Sequence, residues 1–164
     1  MTGVKIVPIL PKRNPFDVDR YKRAIENAGT ETAKAIQVDF NVTTRTWKHK
    51  PDFNIDHTHG KLVWVIATDD TIYGYVSEGT KAHVIVPRGA GRLVFFRQGF
   101  RAKSRAGYIG SNVGSRATKG KTFAKLVHHP GTKAREFPKA IKSKWNSEWP
   151  RQLARAIRAA ATYG

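Results

Sequence analysis

The chain contains no cysteine, so neither a disulfide framework nor a thiolate metal site can organise it. It has no run of about 18 apolar residues, and no membrane-spanning helix is expected. Met1 to Leu10 lack a charged stretch followed by an apolar one, so no signal peptide is expected and a soluble intracellular product is. A glycine-rich phosphate loop ending in Lys-Ser/Thr is missing, and Ser77 lacks the glycine-flanked turn of a hydrolase nucleophile. Carboxylates are scarce: 12 against 30 Lys and Arg in 164 residues, a formal charge of +18. Between Glu78 and Glu136 there is none at all.

What is present suffices for a folded chain. A hydrophobic content of 40 % supports a core and argues against global disorder. The expected organisation is an extended arm over residues 1–15 and one α+β domain over 16–164. Val4–Leu10 is apolar, but Pro8, Pro11 and Pro15 restrict it to an edge strand or an extended terminus. Asn14 or Asp17 opens a helix whose stripe is Tyr21, Ile25, Ala28, Thr32, Ile36 and Phe40, ending near Val42 or Thr44. Gly29 is a weak point inside it.

Period-two alternation marks Phe53–His57, and Lys61–Thr68 reads as a stronger strand, with His59-Gly60 as the hairpin turn. Ile72–Thr80 is a short helical turn whose aromatic residues are expected in the core, ending at Glu78-Gly79-Thr80. Strands follow at His83–Pro87 and Arg92–Arg97, with Gly89-Ala90-Gly91 between them. Residues 98–121 are rich in glycine, serine and cations, and a stretch of that length inside a compact domain is functional or disordered. Because its flanks, Phe95-Phe96 and Phe123–Val127, look like strands, the expectation is a protruding hairpin arm over 97–125. His128–Thr132 reads as a turn and Thr132 as a cap of the last helix. That helix carries Phe137, Ile141, Trp145, Trp149, Leu153 and Ile157 at spacings of four, with a kink or break expected at Pro150. The fold expected is a small antiparallel sheet against a long N-terminal helix and a kinked C-terminal one.

The layout offers three constellations that could carry chemistry. Asp69-Asp70 and Asp17/Asp19 look like a turn and a helix start, not two groups held across a substrate, so no catalytic residues are assigned. His57 with His59, and His128 with His129, have spacings that zinc sites use, but histidines in turns are more often solvated; no metal or other cofactor is assigned. The thirteen Lys and Arg between Glu78 and Glu136 form the third constellation. Arg101, Lys103, Arg105, Arg116, Lys119 and Lys121 suit phosphate contacts, and Tyr108 or Phe100 suits stacking on bases. No zinc finger, helix-turn-helix or aromatic sheet signature accompanies them, so sequence-specific reading is disfavoured. A polyanion held loosely, or an acidic protein surface, fits the charge; a merely solvated basic face is the bland reading.

Three segments in this order, Tyr73–Thr80, His83–Pro87 and Val127–Phe137, resemble the tail-completion or neck proteins of tailed bacteriophages, also described as minor tail components. The resemblance covers most of Asp17 to Ile157, and the arm is unusually basic for that pattern. It implies a structural virion protein and not an enzyme: a homo-oligomeric ring, hexamer or dodecamer, in the neck. The ring would join the head connector to the tail or complete the tail, and channel DNA would be met without sequence preference. Host cytoplasm during assembly, no membrane partner, and contacts to connector, adaptor or tail-tube proteins are implied with it. Candidate turn or subunit-interface residues are Glu78, Gly79, Thr80, His129, Pro130, Gly131 and Arg135, with a Glu78–Arg135 ion pair as one expectation. A free-standing, non-specific nucleic-acid-binding protein is the alternative.

Overall fold

The computed structural model of the chain describes residues 17–58, 62–89, 91–96, 107, 109 and 121–162. Its class is α+β. In chain order the elements are α1 (Val18–Thr43), β1 (Asn54–His57), β2 (Trp64–Ala67), α2 (Thr71–Glu78), β3 (His83–Ile85), β4 (Leu93–Phe96), β5 (Lys121–Ala124), β6 (Val127–His129) and α3 (Phe137–Thr162). Among the described residues the strands form three two-stranded antiparallel ladders, β1–β2, β3–β6 and β4–β5, where one small sheet was expected. No described helix is long and apolar enough to cross a membrane.

Backbone proximity divides the chain into two compact units. Unit 1 is Met1–Asn41, Asp52–Thr68 and Ile141–Gly164; unit 2 is Val42–Pro51 and Asp69–Ala140.

In unit 1, Asp17 accepts the Arg20 amide at 3.1 Å, which satisfies one orphan donor of the first turn of α1. The apolar stripe then buries Ile25, Ala33 and Phe40. Phe40 stacks on Phe53 at 5.0 Å between centroids, and Gln37 donates its side-chain amide to the Phe53 carbonyl. Ile141 and Trp145 of α3 are buried in the same unit. Their removal from water stabilises by about 1.5–3 kcal/mol per large side chain. Two polar contacts set the register of the helix pair. Asp39 takes Lys144 at 2.7 Å and the Trp145 indole N–H at 2.7 Å, and two turns back Thr32 bonds Gln152 at 2.7 Å. Contacts that recede on α1 while advancing on α3 make the two helices antiparallel.

Gly29 has a role its helix position hides. A Cβ there would sit inside contact distance of the Trp64 ring. Trp64 donates to the Thr30 hydroxyl at 3.3 Å, and its ring lies flat against His57, 4.6 Å away and 7° from parallel. The expected weak point is where β2 closes on α1. His59 and Gly60, the expected turn, lie outside the described residues.

Of the kink or break expected at Pro150, the break is absent: helix α3 continues through Pro150. Proline removes a single donor, and both Pro150 and Asn146 are exposed, so the carbonyl left over lies on the water side of the helix.

In unit 2 the expected strand over Phe123–Val127 splits at Lys125-Leu126 because its partner changes. β5 pairs with β4 (Leu93 opposite Ala124) and β6 pairs with β3 (His83 opposite His129). His128 and His129 therefore lie in a strand, and the turn follows at Pro130-Gly131. β3 and β4 do not pair with each other. The two ladders follow one another in the same antiparallel sense, interrupted where residues 86–92 stand against residues 125–126.

Candidate functional site

The landmark helix α2 starts at Asp70, whose carboxylate accepts the Tyr73 amide at 2.6 Å while His49 contacts its other oxygen. The His49 hydrogen bond first, then the Tyr73 amide, hold the Asp70 carboxyl below its ordinary value. Tyr73 is buried and stacks on Phe137 at 5.6 Å, with Trp47 tilted against both rings. Burial pushes its phenol well above the usual tyrosine range, and hydrogen bonds with Thr43 and Ser77 offset part of that. Tyr75, expected in the core beside it, is 59 % exposed: on an eight-residue helix only one face can be covered, and Tyr73 and Ser77 occupy it.

At the other end of α2, Gly79-Thr80 meets residues 131–136. Thr80 and Thr132 form a reciprocal backbone bridge, at 3.0 and 3.1 Å, and the Thr80 hydroxyl also accepts the Thr132 amide at 3.0 Å. Each threonine follows a glycine with positive φ, Gly79 at 81° and Gly131 at 89°. A Cβ on Gly79 would lie 2.5 Å from the Thr132 carbonyl oxygen, and one on Gly131 would lie closer still to the Thr80 carbonyl oxygen. Any other residue at either position would meet both backbone strain and a collision with backbone that cannot swing aside. The two Gly-Thr dipeptides thus form a clasp of main chain on main chain. Thr132 belongs to this bridge and does not cap α3.

The same segment closes the end of α2. The amide of Arg135 donates to the carbonyls of Val76 and Ser77 at 3.2 and 3.0 Å, and that of Glu136 to Ser77 at 2.9 Å. These supply partners for carbonyls that a helix end leaves open. Glu136, just before α3, has φ 53°, a left-handed conformation uncommon outside glycine. Its carboxylate pairs with Lys139 at 3.3 Å. Glu78 is exposed and, among the described residues, makes no ion pair with Arg135. Arg135 serves instead through its backbone, and its Nε is buried without a hydrogen-bond partner. Its carbonyl accepts the Gly107 amide at 2.8 Å; apart from 107 and 109, residues 97–120 of the expected arm lie outside the described residues.

His129 steadies the clasp: its Nδ1 accepts the Gly131 amide at 3.1 Å, and its ring faces His83 across the ladder at 5.0 Å. His83 Nδ1 in turn lies 2.9 Å from the Lys81 carbonyl. Pro130, between them in sequence, is exposed, as is His128. Among the described residues no group of three or more His, Asp or Glu could hold a metal. Of the arm candidates, Lys121 stands opposite Phe96 in the β4–β5 register. Arg101, Lys103, Arg105, Tyr108, Arg116 and Lys119 lie outside the described residues.

The structure brings together Gly79, Thr80, His129, Gly131 and the Arg135 backbone. What residue-by-residue reading missed is their reciprocity. The available signal was the repeated Gly-Thr dipeptide, once at each end of the carboxylate-free stretch. No family model, curated protein or solved structure matches the chain.

Proposed function

We propose that the chain is a structural subunit of the neck of a tailed bacteriophage, building a ring that joins the head connector to the tail or completes the tail. One observation carries this reading: two of the three segments that resemble the neck family, Tyr73–Thr80 and Val127–Phe137, close on each other as a clasp at the root of a cation-rich hairpin. Such a root brings the two ends of the hairpin together within unit 2. A ring closes only if one face of each copy complements a different face of the next, and residues 98–121 are the half of that contact that this reading assigns to each copy. DNA in the channel would meet the cations through weak, salt-dependent phosphate contacts.

Deleting residues 102–119 tests the reading. The variant is expected to fold as a monomer, with normal helical circular dichroism, and to fail in assembly; normal ring formation or infectious particles from it would overturn the proposal. A free-standing nucleic-acid-binding role is favoured by the thirteen cations without a carboxylate. It predicts sub-micromolar duplex binding that weakens about 10³-fold between about 50 and 200 mM salt.

A further inference from the structure

Both ladders of unit 2 leave large apolar side chains exposed. Val94 and Phe123 face each other across β4–β5 and remain 54 % and 58 % exposed. On the other ladder Val84 is half exposed, Val86 just beyond it is more so, and Leu126 at the junction of β5 and β6 is also exposed. From Phe123 to His129 the exposed positions alternate with half-buried ones, with one extra residue at Lys125-Leu126. An extra residue of that kind is how a bulged strand re-aims its faces. A two-stranded ladder is marginal on its own in water, and here a cross-strand valine–phenylalanine pair is turned to solvent.

The surroundings of these side chains are cationic. Lys81, Arg88, Arg92, Lys125 and Lys133 are all exposed, and no carboxylate occurs from Gly79 to Arg135. An apolar centre inside a charged rim is the anatomy of a protein–protein contact. Phe123 could stack on a base, but neither phosphates nor bases need aliphatic side chains, so a surface serving only nucleic acid gains nothing from exposing Val84, Val86 and Val94. A second copy of this ribbon would bring the same cations to the contact, and like charges placed together weaken it.

We infer that this face of the hairpin docks a different protein, one that presents apolar side chains flanked by carboxylates. The charge complementarity selects the partner's sign, and the valine–phenylalanine pair supplies the contact energy. The inference rests on the reading of the hairpin as an interaction element and not on virion location, so the measurement below stands whether or not the chain is found in a phage neck.

The test uses the full chain and a capped peptide with a Val-Ile-Val centre between Glu-Glu ends. Comparison probes are the same peptide with a serine centre and a short DNA duplex. Burial of two or three apolar side chains is expected to make the Val-Ile-Val peptide bind about tenfold or more tighter than the serine one. Val94→Ser combined with Phe123→Ser is expected to erase that difference while duplex affinity and thermal midpoint stay unchanged. Lys125→Glu weakens both peptides and leaves their ratio intact. Equal affinity for the two peptides, or no binding of either, overturns the inference. A matching loss of duplex binding in the double variant assigns the face to nucleic acid instead. Concentration-dependent self-association of the chain that the double variant abolishes assigns it to a second copy.

Discussion

Unit 1 and unit 2 are held together by different parts of the polypeptide. In unit 1 the decisive contacts are between side chains: Phe40 on Phe53, Trp64 over Gly29, and Asp39 between Lys144 and the Trp145 indole. In unit 2 an aromatic cluster of Trp47, Tyr73 and Phe137 is joined to a clasp made of backbone. Charge divides the same way. Unit 1 carries thirteen Lys and Arg against eight carboxylates; unit 2 carries seventeen against Asp69, Asp70, Glu78 and Glu136 alone. Where cations dominate, ion pairs cannot organise a chain, and main-chain hydrogen bonds, which carry no net charge, take their place.

The sharpest way to break this contrast is Gly131→Ala. Backbone strain and the collision with Thr80 are expected to cost about 3 kcal/mol in chemical denaturation. Thr132→Ala next to it, whose side chain takes no part in the bridge, should cost less than about 0.5 kcal/mol; similar losses for both would mean that the clasp is not a backbone device. In unit 1, Asp39→Ala strands the Trp145 N–H and the Lys144 ammonium, and about 2 kcal/mol should be lost from the urea midpoint. A smaller effect, diagnostic by its sign, is expected at Gly29. Alanine there would gain about 1 kcal/mol in a free helix, but displacement of Trp64 should turn this into a net loss of about 1 kcal/mol with a shifted tryptophan emission. A gain would show that the ring moves aside freely.

The smallest effect concerns acid. Asp70 has a folded-state value depressed below its unfolded one, so its contribution is present above the ordinary carboxylate range near about pH 4. It is lost as pH falls through the lowered value. Amide exchange at Tyr73 should therefore accelerate in that window, and Asp70→Asn, which keeps an acceptor but not the charge, should flatten the response. An unchanged acid response in Asp70→Asn would remove Asp70 from the account.

Local patterns made much of the fold legible in the sequence. The α1 stripe, Asp17 as one of the two expected starts, the β1–β2 pairing and the helical nature of α2 follow from spacings within a few residues. What escaped depends on residues far apart in the chain. Gly79 and Gly131 each look like ordinary turn glycines until the segments are brought together. Thr132 looks like a cap until Thr80 is opposite it. Tyr73 and Tyr75 are equivalent in composition, and only the position of Phe137 decides which one is buried. Glu78 and Arg135 suggest an ion pair by charge, but the segment docks through the Arg135 amide, a group that every residue except proline possesses.

Because Thr80 and Thr132 stand directly opposite one another, residues 81–131 leave and re-enter the scaffold at one doorway. Such a segment behaves as an interchangeable cassette. Doubling its length would add only about 0.6 kcal/mol of closure entropy, and shortening it strains nothing beyond the two Gly-Thr hinges. A different segment could be grafted between the two hinges while the helices stay as they are, provided that both glycines are kept.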